Sequence, residues 1–434
     1  MGNSNYIGII ADDLTGANDT SLQFFIRGCK TQVGFGEEIS IDENLNTEVF
    51  AMSTESRNVD PQIAHERVLN AAEKILKNYS FEYIYKKIDS VLRGNIAVET
   101  ITLLEVLGMD AAIIFPAFPN EGRTTVGSFQ LVKGIPLQRT EVSRDPSCPI
   151  VESNIVNLLK AQLPQELADT VDAITLDIVM KGAGPILTKL NELISKGKKL
   201  IVADAVSTTD LEQIALALNK SSHKILPTGS AGAAQALSKI WYPNTKEEEK
   251  ELNLPELPRF VVSGSATDLT ASQIKRLQEN DDIENTYFIA IKPQNIFSND
   301  CDEVAQRVLN NLVKDNIVVL HSSELIENSE ELSALLMEHE ITREAFISKI
   351  CDYLAAITRI VLSQRNAFLI TVGGETSYKC CRAIGSKNLE IIDTVAPAIP
   401  LGLDHKGQYI VTKSGNLGTQ NTLIDIVRYF EQDK

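Results

Sequence analysis

The sequence predicts an α/β protein of two α/β domains, each with a mainly parallel sheet. Three observations predict it. At 434 residues the chain is too long for one ordinary core. Short apolar runs alternate with segments of helical periodicity along both halves, as in parallel sheets crossed by helices. Between Asn244 and Pro258, the run Lys246-Glu247-Glu248-Glu249-Lys250-Glu251 and two prolines lack apolar periodicity, which marks a solvated linker. The expected division is therefore 1–243, a linker at 244–258, and 259–434.

The first strand, Ile7–Ala11, is an apolar run that stops at Asp12-Asp13. It turns through Thr15 and Gly16 into a helix over Asn18–Arg27. Buried parallel strands read as such runs, and ligands of open α/β sheets bind beyond their carboxyl ends. Thr31–Phe35 and Val49–Ser53 follow as strands. Asp60-Pro61 starts a helix, and Ile63, Ala64, Val68, Leu69, Ala72, Ile75 and Leu76 give Pro61–Asn78 one apolar face. Strands at Tyr83–Lys86 and Ala111–Phe115 flank a helix at Ile96–Leu107. A loop, Pro116–Thr125, leads to a hairpin over Phe129–Leu137. Strands at Ala173–Leu176 and Leu200–Asp204 then alternate with helices at Ala183–Lys196, Thr209–Leu218 and Ala231–Ile240. In the second half, strands at Phe260–Val262, Tyr287–Ile291, Ile317–Leu320 and Ala367–Thr371 alternate with helices at Thr267–Gln278, Asp302–Val313 and Thr342–Gln364.

The net charge of -17 argues against a nucleic-acid or anionic-membrane surface. No apolar run reaches the roughly 18 residues of a spanning helix. The first residues lack the basic segment of a signal peptide, so a cytoplasmic protein is expected. The six cysteines form no metal-ligand spacing and read as buried thiols.

Two adjacent carboxylates at a strand end, Asp12 and Asp13, are costly to desolvate unless they are paired, hydrogen-bonded or near a metal or polyhydroxy ligand. A plain helix N-cap explains them equally well. Lys86-Lys87-Ile88-Asp89-Ser90-Val91-Leu92-Arg93-Gly94-Asn95 gathers three cations, an acid and an amide where a strand becomes a helix. Such cations neutralise a carboxylate or a transferring phosphoryl group. Ser56-Arg57-Asn58 adds a fork-shaped cation, and Asn120 and Arg123 are polar tips of the Pro116–Thr125 loop. The second half offers three small-residue turns: Ser263-Gly264-Ser265, Gly373-Gly374-Glu375-Thr376 and Lys413-Ser414-Gly415-Asn416. Glycines before a helix let backbone N–H groups cradle phosphates. GxxxxGK[ST], GxGxxG and GxSxG are all absent, which excludes a P-loop and disfavours a dinucleotide fold.

With Ala11-Asp12-Asp13-Leu14-Thr15-Gly16-Ala17-Asn18-Asp19 and Lys86 through Asn95, the chain resembles the four-carbon acid sugar kinases, or tetronate kinases. Pro116–Pro119, Gly122–Gly127, Val262–Ser265, Gly373–Ser377 and Lys413–Asn416 look like the family's other signatures, in order over the whole chain. Val91, where the family leads one to expect Thr, and Tyr378-Lys379-Cys380-Cys381, where smaller residues are usual, depart from it.

The resemblance implies an ATP-dependent kinase acting on the 4-hydroxyl of D-threonate, D-erythronate or an oxo-tetronate in carbohydrate-acid catabolism. It implies an acid-sugar-binding first domain, a nucleotide-binding second domain and an active site in the cleft between them. Carried over position by position, Asp12, Asp13, Arg57, Lys86, Lys87, Asp89, Arg93 and Asn95 line the acid-sugar site. Ser263, Ser265, Gly373, Gly374, Glu375, Thr376 and Gly415 contact ATP. Arg57 with Lys86 or Arg93 is expected to hold the substrate carboxylate, the remaining cation the phosphoryl group, and Asp13 or Asp89 the reacting hydroxyl. Mg²⁺ is expected on the nucleotide phosphates, with Glu375 or the Asp12–Asp13 pair as the acids in reach. The partners are then small molecules, and a homodimer stays open. A non-catalytic sugar-acid sensor and an aspartyl-phosphate phosphohydrolase using Asp12 are the rival readings.

Overall fold

In the computed structural model, residues 6–36, 47–78, 80–145, 147–243, 252–265, 267–298, 300–323, 325 and 329–431 are described. The chain divides into two compact units, Met1–Phe35 with Ile41–Glu247, and Gly36–Ser40 with Glu248–Lys434. Of the expected linker, 244–251 lies outside the described residues, and 252–258 forms neither helix nor strand.

The first unit contains β1 (Tyr6–Ala11), β2 (Thr31–Phe35), β3 (Val49–Ser53), β4 (Phe81–Lys87), β5 (Ala111–Phe115), β9 (Val171–Ile174), β10 (Leu200–Ala203) and β11 (Ile225–Gly229). They run parallel in the order β2-β3-β1-β4-β11-β5-β10-β9. Most of their apolar side chains are buried, as continuous apolar strands require, while Phe81, Tyr83 and Ile84 at the start of β4 are partly exposed. A separate antiparallel sheet holds β6 (Arg123–Val126), β7 (Phe129–Val132) and β8 (Ile135–Pro136). The expected hairpin is thus three-stranded and starts earlier, at Arg123.

Three helices position the site. Helix α1 (Leu14–Phe25) starts four residues before the expected Asn18, and the Asp13 carboxylate caps it by accepting from Gly16 N. Helices α2 (Pro61–Asn78) and α3 (Ile96–Leu107) have the bounds expected. The strand expected at Ala173–Leu176 lies at Val171–Ile174, because Leu176 already begins a helical turn after Thr175.

The second unit contains β12 (Arg259–Ser263), β13 (Thr286–Ala290), β14 (Ile317–His321), β15 (Phe368–Val372), β16 (Asn388–Ala396), β17 (Ile399–Asp404) and β18 (Tyr409–Lys413). Their order is β13-β14-β12-β15-β18-β17-β16. Pairing is parallel from β13 through β18 and antiparallel for the last two pairs. Val261, Val319, Ile370, Val411, Leu401 and Ile426 centre its core. Thr267 and Thr342 cap the helices Asp268–Gln278 and Arg343–Gln364 through their side chains.

Candidate active site

In the first unit the carboxyl ends of β1, β3 and β4 bring the expected charges together. Asp12 and Asp13 are both buried, and Arg57, from the loop after β3, forks onto both. Its Nε donates to Asp12 Oδ2 at 2.7 Å and its Nη1 to Asp13 Oδ2 at 2.7 Å. Its Nη2 donates to Asp12 Oδ1 at 2.9 Å and Asp13 Oδ1 at 2.7 Å. Thr15 Oγ1 and Gly16 N also donate to Asp13, at 2.7 and 2.8 Å. Burial would raise the Asp12 carboxyl, yet Arg57 beside it holds it below the usual range. Arg57 therefore does not present its fork to a substrate carboxylate, as expected, but serves as counter-ion to two adjacent acids. Two buried carboxylates side by side demand such a partner.

Lys86 and Lys87 end β4 and diverge, because successive strand residues point to opposite faces. Lys86 is completely buried, 2.6 Å from Glu99 Oε2 of α3, and donates to the Lys87 carbonyl at 2.9 Å. Its ammonium is thus engaged by Glu99 and the Lys87 carbonyl. Glu99 was not foreseen; its signal is an acid spaced with Ile96 and Leu103 on the apolar side of a helix. Lys87 keeps donor capacity. Among the described residues its paired acid is Asp19, 3.7 Å from the ammonium.

Asp89 accepts from Arg93 Nε at 2.6 Å, and Arg93 Nη1 donates to Asp145 Oδ2 at 3.0 Å. Against its burial, Arg93 and Arg57 hold Asp89 far below the ordinary carboxylate range. Asn95 directs its amide nitrogen to the carbonyls of Ser56 and Val59, at 3.0 and 2.9 Å. That nitrogen fastens the Arg57 loop. Gly94, at φ 99°, lies against this cluster: a Cβ there would come within 3.3 Å of Arg57 Cγ and 3.4 Å of Asp12 Oδ2. Arg123 is buried on β6 and donates to Ser90 Oγ, while Gln130 Nε2 donates to the Ser90 carbonyl at 2.8 Å. The antiparallel sheet thus grips the Lys87–Ser90 loop.

In the second unit the strand ends converge on small residues, and Lys413, which ends β18, is buried with its ammonium donating to the Ser414 carbonyl at 2.9 Å. Gly264 N donates to the Val372 carbonyl at 3.3 Å and Gly373 N to the Lys413 carbonyl at 2.8 Å. Thr267 and Thr270 hydroxyls donate to the Gly415 carbonyl at 3.0 and 3.1 Å, and Thr270 also to Ser265 Oγ at 3.0 Å. The packing leaves no room for side chains. A Cβ on Gly264 would overlap Thr376 Oγ1, and one on Gly415 would overlap Ser265 Oγ. Gly373, at φ 111°, opens the helix Gly374–Ala383, whose first turn holds Glu375 and Thr376. Ser263 Oγ is buried without a hydrogen-bond partner among the described residues. Glu375 is partly exposed and lies 3.0 Å from Lys379 Nζ. Such N–H-rich turns at a helix N-terminus suit phosphate oxygens. Among the described residues no group of three or more His, Cys, Asp or Glu is arranged for a metal.

A family model described as a sugar-binding N-terminal domain matches residues 7–237, and one described as a nucleotide-binding C-terminal domain matches 260–423. A D-erythronate kinase of Heliobacterium modesticaldum is 31% identical over 97% of this chain and 96% of its own length. The chain belongs to the tetronate kinase family. It is accordingly a kinase, an enzyme that transfers a phosphoryl group to a hydroxyl. A D-threonate kinase of Salmonella typhimurium is 28% identical over 98% of both chains. A 3-oxo-tetronate kinase of Haemophilus influenzae is 25% identical over 96% of this chain and 97% of its own. Two crystal structures share the fold. One, from Salmonella typhimurium LT2 and described as a tRNA synthase, gives a TM-score of 0.76 at 22% identity and covers 97% of this chain and 98% of its own. The other, from Haemophilus influenzae, gives 0.69 at 24% identity and covers 98% and 99%. No helix among the described residues is long and apolar enough to cross a membrane.

Proposed function

We propose that this kinase transfers the γ-phosphoryl group of ATP to the 4-hydroxyl of a four-carbon sugar acid: D-erythronate, D-threonate or an oxo-tetronate. One observation carries the reading. A cluster of buried acids and cations ends the strands of the first unit, and glycine-lined turns beside the buried Lys413 end those of the second. The first suits a carboxylate flanked by hydroxyls, the second a chain of phosphates. The related erythronate, threonate and oxo-tetronate kinases support the substrate class.

In this reading Lys87 meets the substrate carboxylate, and Asp12 and Asp13, held rigid by Arg57, accept from its hydroxyls. Asp89 and Arg93 fix the loop that carries Lys87 and Ser90. Ser263, Ser265, Gly373, Gly374, Thr376 and Gly415 receive the triphosphate, with Glu375 at its rim. The unpartnered Ser263 hydroxyl and the side-chain-free turns fit such a group. Mg²⁺ bound to the phosphates would neutralise their charge, and Glu375 is the exposed acid near enough to the turn to meet it. The protein would act in the cytoplasm, in sugar-acid catabolism.

A coupled ADP-release assay with ATP, Mg²⁺ and a panel of C4 sugar acids tests this, with phosphorus NMR to place the ester on O4. Acid-dependent ADP release with one preferred substrate is expected. Binding of the acids without ADP release would leave a sensor instead.

A further inference from the structure

Transfer to a hydroxyl requires a group that receives its proton, and the two acids expected to do so are engaged elsewhere. Asp89 is ion-paired with Arg93 at 2.6 Å, and Asp13 caps α1 while holding Arg57, Thr15 and Gly16. Asp89, held below the usual range by Arg93 and Arg57, is a weak base, and both oxygens of Asp13 already accept hydrogen bonds.

Asp19 is arranged differently. It stands on α1 with 20% of its side chain exposed. Its Oδ1 accepts from Thr20 Oγ1 at 3.0 Å and faces Lys87 Nζ at 3.7 Å. Its Oδ2 carries no hydrogen bond among the described residues. Gly16 makes this approach possible, since a Cβ there would come within 2.8 Å of Lys87 Nζ and 2.6 Å of Asp13 Oδ1. The ammonium therefore passes over Gly16, beside the Asp13 carboxylate and on toward Asp19. The groups facing Asp19 are Lys87 and Tyr85 from β4, Asp13 from the turn, Arg57 from the loop after β3, and Arg123 from β6.

We propose that Asp19 is the general base of the reaction, with Lys87 holding substrate and base together. This rests on the kinase reading above. As the hydroxyl oxygen attacks the γ-phosphorus, its O–H bond breaks and the proton passes to Asp19 Oδ2. The new O–P bond forms as the bond from the γ-phosphorus to the β,γ-bridging oxygen breaks, and ADP leaves with that electron pair. Burial pushes Asp19 up to about 6 against the opposing pull of Lys87, in the range where a base works near neutral pH.

The test is the pH dependence of kcat/KM. Wild-type activity should fall on the acid side with a limb near pH 6, since the base must be unprotonated. In Asp19→Asn, kcat should drop roughly 10²–10⁴-fold, the limb should vanish, and calorimetry should show unchanged affinities for the sugar acid and a non-hydrolysable nucleotide. Asp19→Glu should recover part of kcat. Wild-type turnover in Asp19→Asn with the limb intact overturns the proposal. So does a limb near 8 that disappears in Glu55→Gln, for burial pushes Glu55 up to about 8 nearby. Should Asp19→Asn not fold, Asp19→Glu gives the reading: kcat should fall and the limb should move, and wild-type kcat with an unmoved limb overturns the assignment. A wild-type enzyme silent toward every tetronate overturns the kinase reading itself, whereas an active Asp19→Asn overturns only the base.

Discussion

The two units handle polarity at their strand ends in opposite ways. In the first, acidic and basic side chains at or just beyond the ends of β1, β3 and β4 are buried and matched: Arg57 with Asp12 and Asp13, Lys86 with Glu99, Arg93 with Asp89. In the second, β12, β15 and β18 lead into turns rich in glycines and hydroxyls, with Lys413 buried at the end of β18, its ammonium donating to the Ser414 carbonyl at 2.9 Å, and the ion pair Glu375–Lys379 at the exposed edge. Buried charges hold a fixed geometry only as complete pairs. Glycine turns leave backbone N–H groups that cost little to present. In the function proposed above, the first arrangement would select a small charged polyol, and the second would accept phosphates.

The comparison can be broken first at its most buried pair. Removing one partner, as in Lys86→Met or Glu99→Leu, should cost roughly 3–5 kcal/mol by chemical denaturation, and the double variant should recover most of it. Equal losses in single and double variants would show that the pair is not the source. Arg57→Lys should cost roughly 1.5–3 kcal/mol through lost charged hydrogen bonds. The sign follows from Asp12, whose folded carboxyl lies below its unfolded value. That contribution is complete above the unfolded value, about 4, and is lost as pH falls through the folded one. The variant's deficit should therefore be largest near pH 7 and shrink in acid. Gly264→Val, in the second unit, should push into Thr376 and Leu354, cost about 1–3 kcal/mol, and weaken nucleotide binding. Lys379→Ala should change stability by less than about 1 kcal/mol, since its partners Glu375 and Asp352 are solvent-accessible.

The sequence alone reveals the α/β alternation, because apolar runs and helical periodicity report burial directly. Helices α2 and α3 and strand β5 have the bounds their patterns predict. β11 escapes notice because Pro227 argues against a central strand. The sheet accommodates it by pairing with β4 only from Thr228 onward. The antiparallel run β16–β18 is hidden because its residues mix polar and apolar character without helical or strictly alternating spacing. At the site, the motif residues cluster as their spacing suggests, but spacing does not reveal partners. Lys86 and Lys87 look equivalent in sequence, and only the strand's alternation decides which one pairs with Glu99 and which one faces Asp19.

The central claim is a division of labour between the units, and separate titrations of a tetronate and a non-hydrolysable ATP analogue test it most directly. Lys87→Ala should abolish tetronate binding and leave nucleotide binding intact, while Gly373→Ala, straining a φ of 111°, should do the reverse. Loss of nucleotide binding in Lys87→Ala together with intact nucleotide binding in Gly373→Ala would contradict it.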